Sequence, residues 1–499
     1  MNPSHSRRGP FGVSALSAAS ILVLVVGCVL YSFSLGSLSR VSADEALFAY
    51  PALKASLGGS FTYALSSAAP YGDQVWAYHG PVLPYLDEIL FRLFGFSSMV
   101  ARLPDFLGGW LAALLLVLSL NRKGYRYAGL AFAILWCGDR SMQELVLGRM
   151  DGLALLSVVV SFLFLERAST QRDRSSALLC GLFCGLSILI HPLCIFFALM
   201  EFTLISFRHR RDALPFVLGA GMCIPALLAF WHFRVHQSLA QFLWQSRIAR
   251  YHSGMKALFS FLSNLHWNKA WVLSLMLFII VSAVLALVLL LRSRGKTLEP
   301  SDSYFVLAAA MGLAGLAVFS ASAMFTYYLV YLTVWPILCA VILAEKHWSR
   351  FRPAAIVLAV VWVPSASGNL VRLLKPIWYH HALSSDFLYS KVRELVPVDA
   401  TIAATPRLYD VPIGAGFSKF GLTKWYKEFD DVCPSCYLLM TDNEFKVATF
   451  VPRSNLDQRK ILYAGAAYPK AGELAYPIVL LSPEKAADGT YRTDGPGPN

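Results

Sequence analysis

Two carboxylates stand side by side at Asp44 and Glu45, a few residues past the first apolar run. Adjacent acids at a membrane surface are costly unless they are ion-paired, solvated or put to use. An ionised carboxylate can take up a proton, so general-base work is open to this pair. A solvated loop start accounts for the spacing equally well. The following stretch carries Tyr50-Pro51, Tyr78-His79-Gly80-Pro81 and an amphipathic segment from Leu83 to Phe96. Ala101-Arg102-Leu103-Pro104 then opens the next apolar run. A long loop with aromatics and proline reads as a half-buried lid over a site at the membrane face. The sequence holds nine cysteines, and seven of them sit in or beside apolar runs, where small hydrophobes are the ordinary reading. Cys433 and Cys436 form a CxxC with no obvious further pair of zinc ligands and no thioredoxin-like surroundings.

The elements that must position these residues are membrane helices. Of 499 residues, 57% are hydrophobic and 15% charged, which excludes one soluble core. The net charge of +13 would suggest a nucleic-acid partner if it lay on one soluble face. It does not: residues 371–499 hold 15 Lys/Arg against 14 Asp/Glu, whereas residues 1–370 hold 28 against 16. In that first part the cations crowd into short breaks between apolar runs, such as Arg122, Lys123 and Arg126, or Arg208, Arg210 and Arg211. These basic breaks alternate strictly with non-basic ones, as cytoplasmic and outer loops do. The first run, Phe11 to Ser39, carries no charge and is too long for a signal-peptide core, so it reads as an uncleaved helix. The spans predicted are roughly 13–33, 103–120, 127–138, 152–165, 176–190, 193–207, 214–231, 271–291, 304–320, 326–343 and 354–370. The fold class expected is a mainly α, polytopic bundle of about eleven transmembrane helices, its first outer loop near 40–97. The N-terminus is placed in the cytoplasm and the chain in a bacterial inner (plasma) membrane.

From about residue 371 the composition changes to mixed aromatic, proline and charged residues. Short β-like runs appear at Tyr437–Met440 and Ile478–Leu481. Residues 371–499 are therefore expected to form a small extracytoplasmic α/β domain with a Gly/Pro tail. On that oxidising side a structural disulfide is the preferred reading of Cys433 and Cys436.

The ordered set SADEALFAY, HGPVLPYLDEILFRLFG and ARLPDFLGGWLAALLL resembles the protein O-mannosyltransferase and lipid A aminoarabinose transferase superfamily. These are glycosyltransferases of the GT-C fold. LGRMDGLALL, GLFCGLSILIHP and, more loosely, YYLVYLTVWPILCAV continue the resemblance over roughly residues 40–345. It implies a hexosyl or pentosyl transfer, typically inverting, from a polyprenyl-phosphate-linked donor to a hydroxyl of a glycan, lipid or protein acceptor. Asp44 matches the first-loop acid and becomes the expected base, with Glu45 supporting it or binding acceptor. Arg102, Arg149 and His191 fall at helix ends where they would approach a lipid phosphate. Snorkelling is the equal alternative for each arginine, and a plain helix end is the commoner reading of a single histidine. Asp151 reads as a structural partner of Arg149. Arg247, Arg250, His252 and Lys256 would form a phosphate-binding rim, and Tyr50 and His79 would line an acceptor or loop site.

The chain departs from many relatives at His79-Gly80-Pro81, where they carry Lys-Pro-Pro, and at His191-Pro192, where they carry Lys-Gly. Ser322-Ala323-Met324-Phe325 also lacks the basic residue many relatives place before the late aromatic helix. No cofactor is fixed by the sequence, and a divalent cation beside the first-loop acids is left open. The competing readings are a transporter or flippase of a lipid-linked glycan and an inactive envelope scaffold. The long acidic first loop weighs against the former, which would more often place its charges at mid-membrane.

Overall fold

The computed structural model describes residues 14–36, 43–59, 81–171, 173–208, 210–230, 267–292, 300–321, 328–346, 386–422, 435–447, 453–466 and 477–484, with single positions at 233, 366, 369, 371, 374, 377 and 378. Its helices follow the apolar runs. They are α1 (Ala15–Ser32), α2 (Ala43–Ser56), α3 (Val82–Phe94), α4 (Ser98–Arg122), α5 (Arg126–Gly138), α6 (Asp151–Gln171), α7 (Arg174–Ile190), α8 (Ile195–Arg208), α9 (Ala213–Gly221) and α10 (Cys223–Phe230). After these come α11 (Trp267–Arg292), α12 (Pro300–Ala321), α13 (Leu329–Lys346) and α14 (Asp386–Leu395). Among the described residues seven segments are long and apolar enough to cross a membrane, and α7 and α8 are shorter apolar helices. The protein is an integral membrane protein. Ten of the eleven expected spans coincide with helices, the run 214–231 being split into α9 and α10 at Met222. The eleventh, 354–370, lies largely outside the described residues, so a count of eleven is not established.

Short connections make neighbouring helices antiparallel. The ends of α1, α5, α7 and α12 therefore gather with the starts of α4, α6, α8 and α13, and the basic breaks fall at the opposite end. Lipid-facing positions stay apolar: Leu22, Val25 and Val29 of α1 and Leu277, Val281 and Val284 of α11 are exposed. Helices α4 and α6 cross closely because Gly152 has no side chain, and a methyl there would overlap the Asp105 carbonyl. Small residues at such crossings let membrane helices pack where no hydrophobic drive exists between them.

The C-terminal region builds a five-stranded sheet in the order β2-β1-β3-β5-β4 from β1 (Ile402–Ala404), β2 (Phe420–Leu422), β3 (Tyr437–Thr441), β4 (Arg459–Ala466) and β5 (Pro477–Glu484). Strands β2, β1 and β3 run parallel, while β5 is antiparallel to both β3 and β4. The two β-like runs legible in the sequence pair directly, Leu438 opposite Leu481 and Thr441 opposite Ile478. Cys436 is buried and disulfide-bonded, while Cys433 lies outside the described residues. The sheet does not stand apart from the membrane region. Ala46, Ala49, Tyr50 and Leu53 of α2 share one apolar core with Leu388, Leu408, Tyr409, Leu439 and Leu480.

Candidate functional site

The site is built where α2 meets the start of α4. Glu45 sits in the first turn of α2 and Arg102 in the second turn of α4, and both side chains are fully buried. Arg102 Nε donates to Glu45 Oε2 at 3.0 Å, and its Nη1 donates to the Leu35 carbonyl at 2.8 Å. The other carboxylate oxygen, Oε1, accepts from the Tyr409 hydroxyl at 3.0 Å. Next to Tyr409, Asp410 Oδ2 accepts from the Ser98 hydroxyl at 2.6 Å, so the sheet region grips both α2 and α4. Glu45 thus spends both oxygens on fixed partners, which locks the rotation and depth of the helix that carries Asp44. Burial pushes the Glu45 carboxyl up to about 7, against the pull of Arg102 and the Tyr409 hydroxyl. Asp87 on α3 is buried, with no hydrogen-bond partner for either oxygen among the described residues, and burial with the nearby Glu45 charge drives it well above the usual carboxylate range.

The turn 148–151 lies directly against this pair. Gly148 has φ +62°, a conformation that favours glycine, and a Cβ on it would come within 2.8 Å of Glu45 Cγ. The next residue begins a second buried cluster. Arg149 Nε donates to Asp151 Oδ2 at 2.9 Å, and its guanidinium lies 5.4 Å from the centre of the Tyr328 ring. The Tyr328 hydroxyl is 3.4 Å from Arg149 Nη2. His191 Nδ1 accepts the Leu193 backbone N–H at 3.1 Å, so the neutral ring carries its proton on Nε2, 3.7 Å from Asp151 Oδ1. Tyr328 and Tyr331 meet the His191 ring edge-on, at centroid distances of 5.3 and 6.1 Å. Asp105, one turn after Arg102, accepts the Gly152 N–H at 2.5 Å at the start of α6, where the helix dipole favours an acid. The two clusters are therefore one continuous polar layer at one end of the bundle, walled by aromatic rings.

Residues 78–233 match the family described as dolichyl-phosphate-mannose-protein mannosyltransferase. No curated protein sequence matches the chain. The crystal structure of ArnT from Cupriavidus metallidurans bound to undecaprenyl phosphate is similar over 94% of this chain and 98% of its own, with 14% identity and a TM-score of 0.58. The apo crystal structure of the oligosaccharyltransferase of Archaeoglobus fulgidus is similar over 90% of this chain and 73% of its own, with 13% identity and a TM-score of 0.50. The chain has the GT-C fold. At such identities the likeness speaks for architecture, and the roles of individual residues rest on the geometry above.

Within this GT-C architecture, the sequence-predicted Glu45, Arg102, Arg149, His191 and Asp151 all come to the one polar layer. Arg102 is engaged by Glu45, and Asp151 is the partner of Arg149 that the sequence suggested. Tyr50 is buried between α2 and the sheet, its hydroxyl donating to the Phe420 carbonyl at 3.4 Å. Asp44 lies in α2, but its side chain is outside the described residues, as are His79, Arg247, Arg250, His252 and Lys256 altogether. Five participants escaped the sequence reading: Asp87, Asp105, Tyr328, Tyr409 and Asp410. Asp87 had a visible signal, since Leu83, Asp87 and Phe91 form one i, i+4, i+8 stripe and an acid inside an apolar stripe is out of place. Tyr409 and Asp410 had none, because nothing local marks a loop residue that reaches a partner 364 positions away.

Proposed function

We propose that this protein is a membrane glycosyltransferase. It moves a hexosyl or pentosyl group from a polyprenyl-phosphate-linked donor to a hydroxyl of a glycan, lipid or protein acceptor. The observation that carries the reading is the buried Arg102–Glu45–Tyr409 chain, which clamps the acid-bearing helix α2 beside the Arg149, Asp151 and His191 cluster. In this reading Asp44 of α2 is the proton acceptor and the buried Arg149 is the cation that the reaction needs. The similarity to an ArnT structure that binds undecaprenyl phosphate supports a lipid phosphate as the leaving group.

In the proposed reaction the acceptor hydroxyl attacks the anomeric carbon from the face opposite the lipid phosphate. The new carbon–oxygen bond forms as the bond to the phosphate oxygen breaks, and the configuration inverts. Asp44 takes the hydroxyl proton. Arg149, oriented by Asp151 and by the face of Tyr328, stabilises the negative charge gathering on the departing phosphate. His191, neutral with its proton on Nε2, donates toward the same region. Arg102 and Glu45 act as positioning residues that hold α2.

The site-bearing end of the bundle and residues 371–499 face the extracytoplasmic side in this reading, with the N-terminus in the cytoplasm. The direct test uses full-length protein in liposomes containing polyprenyl-phosphate sugars and an acceptor extract. Enzyme-dependent appearance of free polyprenyl phosphate, matched by sugar on the acceptor, is expected. Intact donor lipid that merely crosses the bilayer would replace this reading with the transporter.

A further inference from the structure

Away from that polar layer, the bundle buries a second group of reactive side chains. Helix α7 places Cys180 and Cys184 one turn apart on the same face, where i and i+4 residues meet. Both are buried, and they point at Glu201 of α8, also fully buried. The Cys180 thiol lies 3.1 Å and the Cys184 thiol 2.7 Å from Glu201 Oε2. Ser161, midway along α6, donates to Oε1 at 2.8 Å. One ligand atom from each of Cys180, Cys184 and Glu201 fits within 4.8 Å of the others. Their surroundings are apolar, with Phe197 and Ile205 in the same core.

A carboxylate within the membrane is costly and needs a matching cation, a proton or a good set of donors. Among the described residues no lysine or arginine pairs with Glu201, and thiols are weak donors. We infer that Cys180, Cys184 and Glu201 form a structural Zn2+ site that ties α7 to α8. Two sulfurs and one carboxylate oxygen suit a borderline-soft ion, and thiolates exclude the hard cations Mg2+ and Ca2+. Ser161 holds the second carboxylate oxygen and so orients the ligand, as outer partners in metal sites do. Zn2+ enters as both thiols and the Glu201 carboxyl release their protons, three in all, so the bound ion leaves one net negative charge where the three ionised ligands alone would carry three. Cys184 and Glu201 bracket the His191-Pro192 break, so the ion would pin the hairpin that presents His191.

The test measures metal in full-length protein purified in detergent, exposed to Zn2+ and freed of loose ions by a weak chelator. About one Zn2+ per chain is expected, falling to background in Cys180→Ser/Cys184→Ser and losing most of its occupancy in Glu201→Gln. Replacement by Co2+ in the wild-type chain is expected to give thiolate-to-cobalt charge-transfer absorption, which reads the site even if the double variant fails to fold. A wild-type chain that retains no stoichiometric metal and shows no such band overturns the site. So does a folded double variant that keeps its metal.

Discussion

The Tyr409 hydroxyl donates to Oε1 of Glu45 at 3.0 Å, bridging the sheet region to a carboxylate whose other oxygen belongs to Arg102. A residue of the C-terminal region thus completes the buried network at the start of α2, and the sheet becomes part of the site's scaffold. Tyr409→Phe keeps the ring and removes only the donor. Losing a hydrogen bond to a charged group should cost roughly 1.5–3 kcal/mol of stability. Turnover should drop on the order of tenfold as α2 loosens, with the donor KM nearly unchanged, measured by thermal unfolding and by the transfer assay.

Breaking one half of the Glu45–Arg102 pair leaves a charge buried without its partner. Arg102→Met should destabilise by roughly 3–5 kcal/mol above about pH 7, where Glu45 is ionised. Glu45→Gln should destabilise by less, because the fold already accommodates a neutral side chain at that position. The double variant should lose clearly less than the sum, because neither charge then remains. Denaturation midpoints of the four proteins check this, and strict additivity would show that the two side chains do not depend on each other.

Because burial lifts the Glu45 carboxyl to about 7, its charge is lost near neutrality. The folded value lies above the ordinary one, so the fold favours the protonated form. The stability this group contributes is present below about 4.5 and is lost as pH rises through about 7. Activity runs the other way, since the ion pair with Arg102 requires the ionised form. The kcat/KM profile should fall as pH drops through about 7, and that limb should vanish from the residual activity of Glu45→Gln.

Much of this architecture was legible in the sequence because membrane helices announce themselves by length and charge. The basic breaks at Arg122-Lys123 and Arg208 set the alternation, and the helices of the structure follow it. Asp44-Glu45 and Arg149 stood out as charges beside apolar runs. The split of span 214–231 did not, since Met222 is as apolar as its neighbours. Cys180 and Cys184 looked like small hydrophobes until α8 brought Glu201 against them. Pairings such as Ser98 with Asp410 depend on long-range docking, which no local pattern encodes.

The alternation of basic and non-basic breaks also predicts sidedness. A reporter active only in the cytoplasm should stay silent when fused after Asn499 and should signal when fused after Arg122, Arg208 or Lys346. A signal from the Asn499 fusion would invert the bundle and move the polar layer to the cytoplasmic face.

The most direct test of the central claim is sugar transfer by Asp44→Asn, measured beside the wild type with the same polyprenyl-phosphate donor and acceptor. The substitution keeps the shape of the side chain and removes its basicity, while the Glu45–Arg102–Tyr409 network that holds α2 is untouched. A loss of turnover on the order of 10²-fold or more is predicted, with insertion and thermal stability intact. Near-normal transfer by the folded variant would contradict the assignment of the base and pass the role to another carboxylate of the layer, Asp87 first.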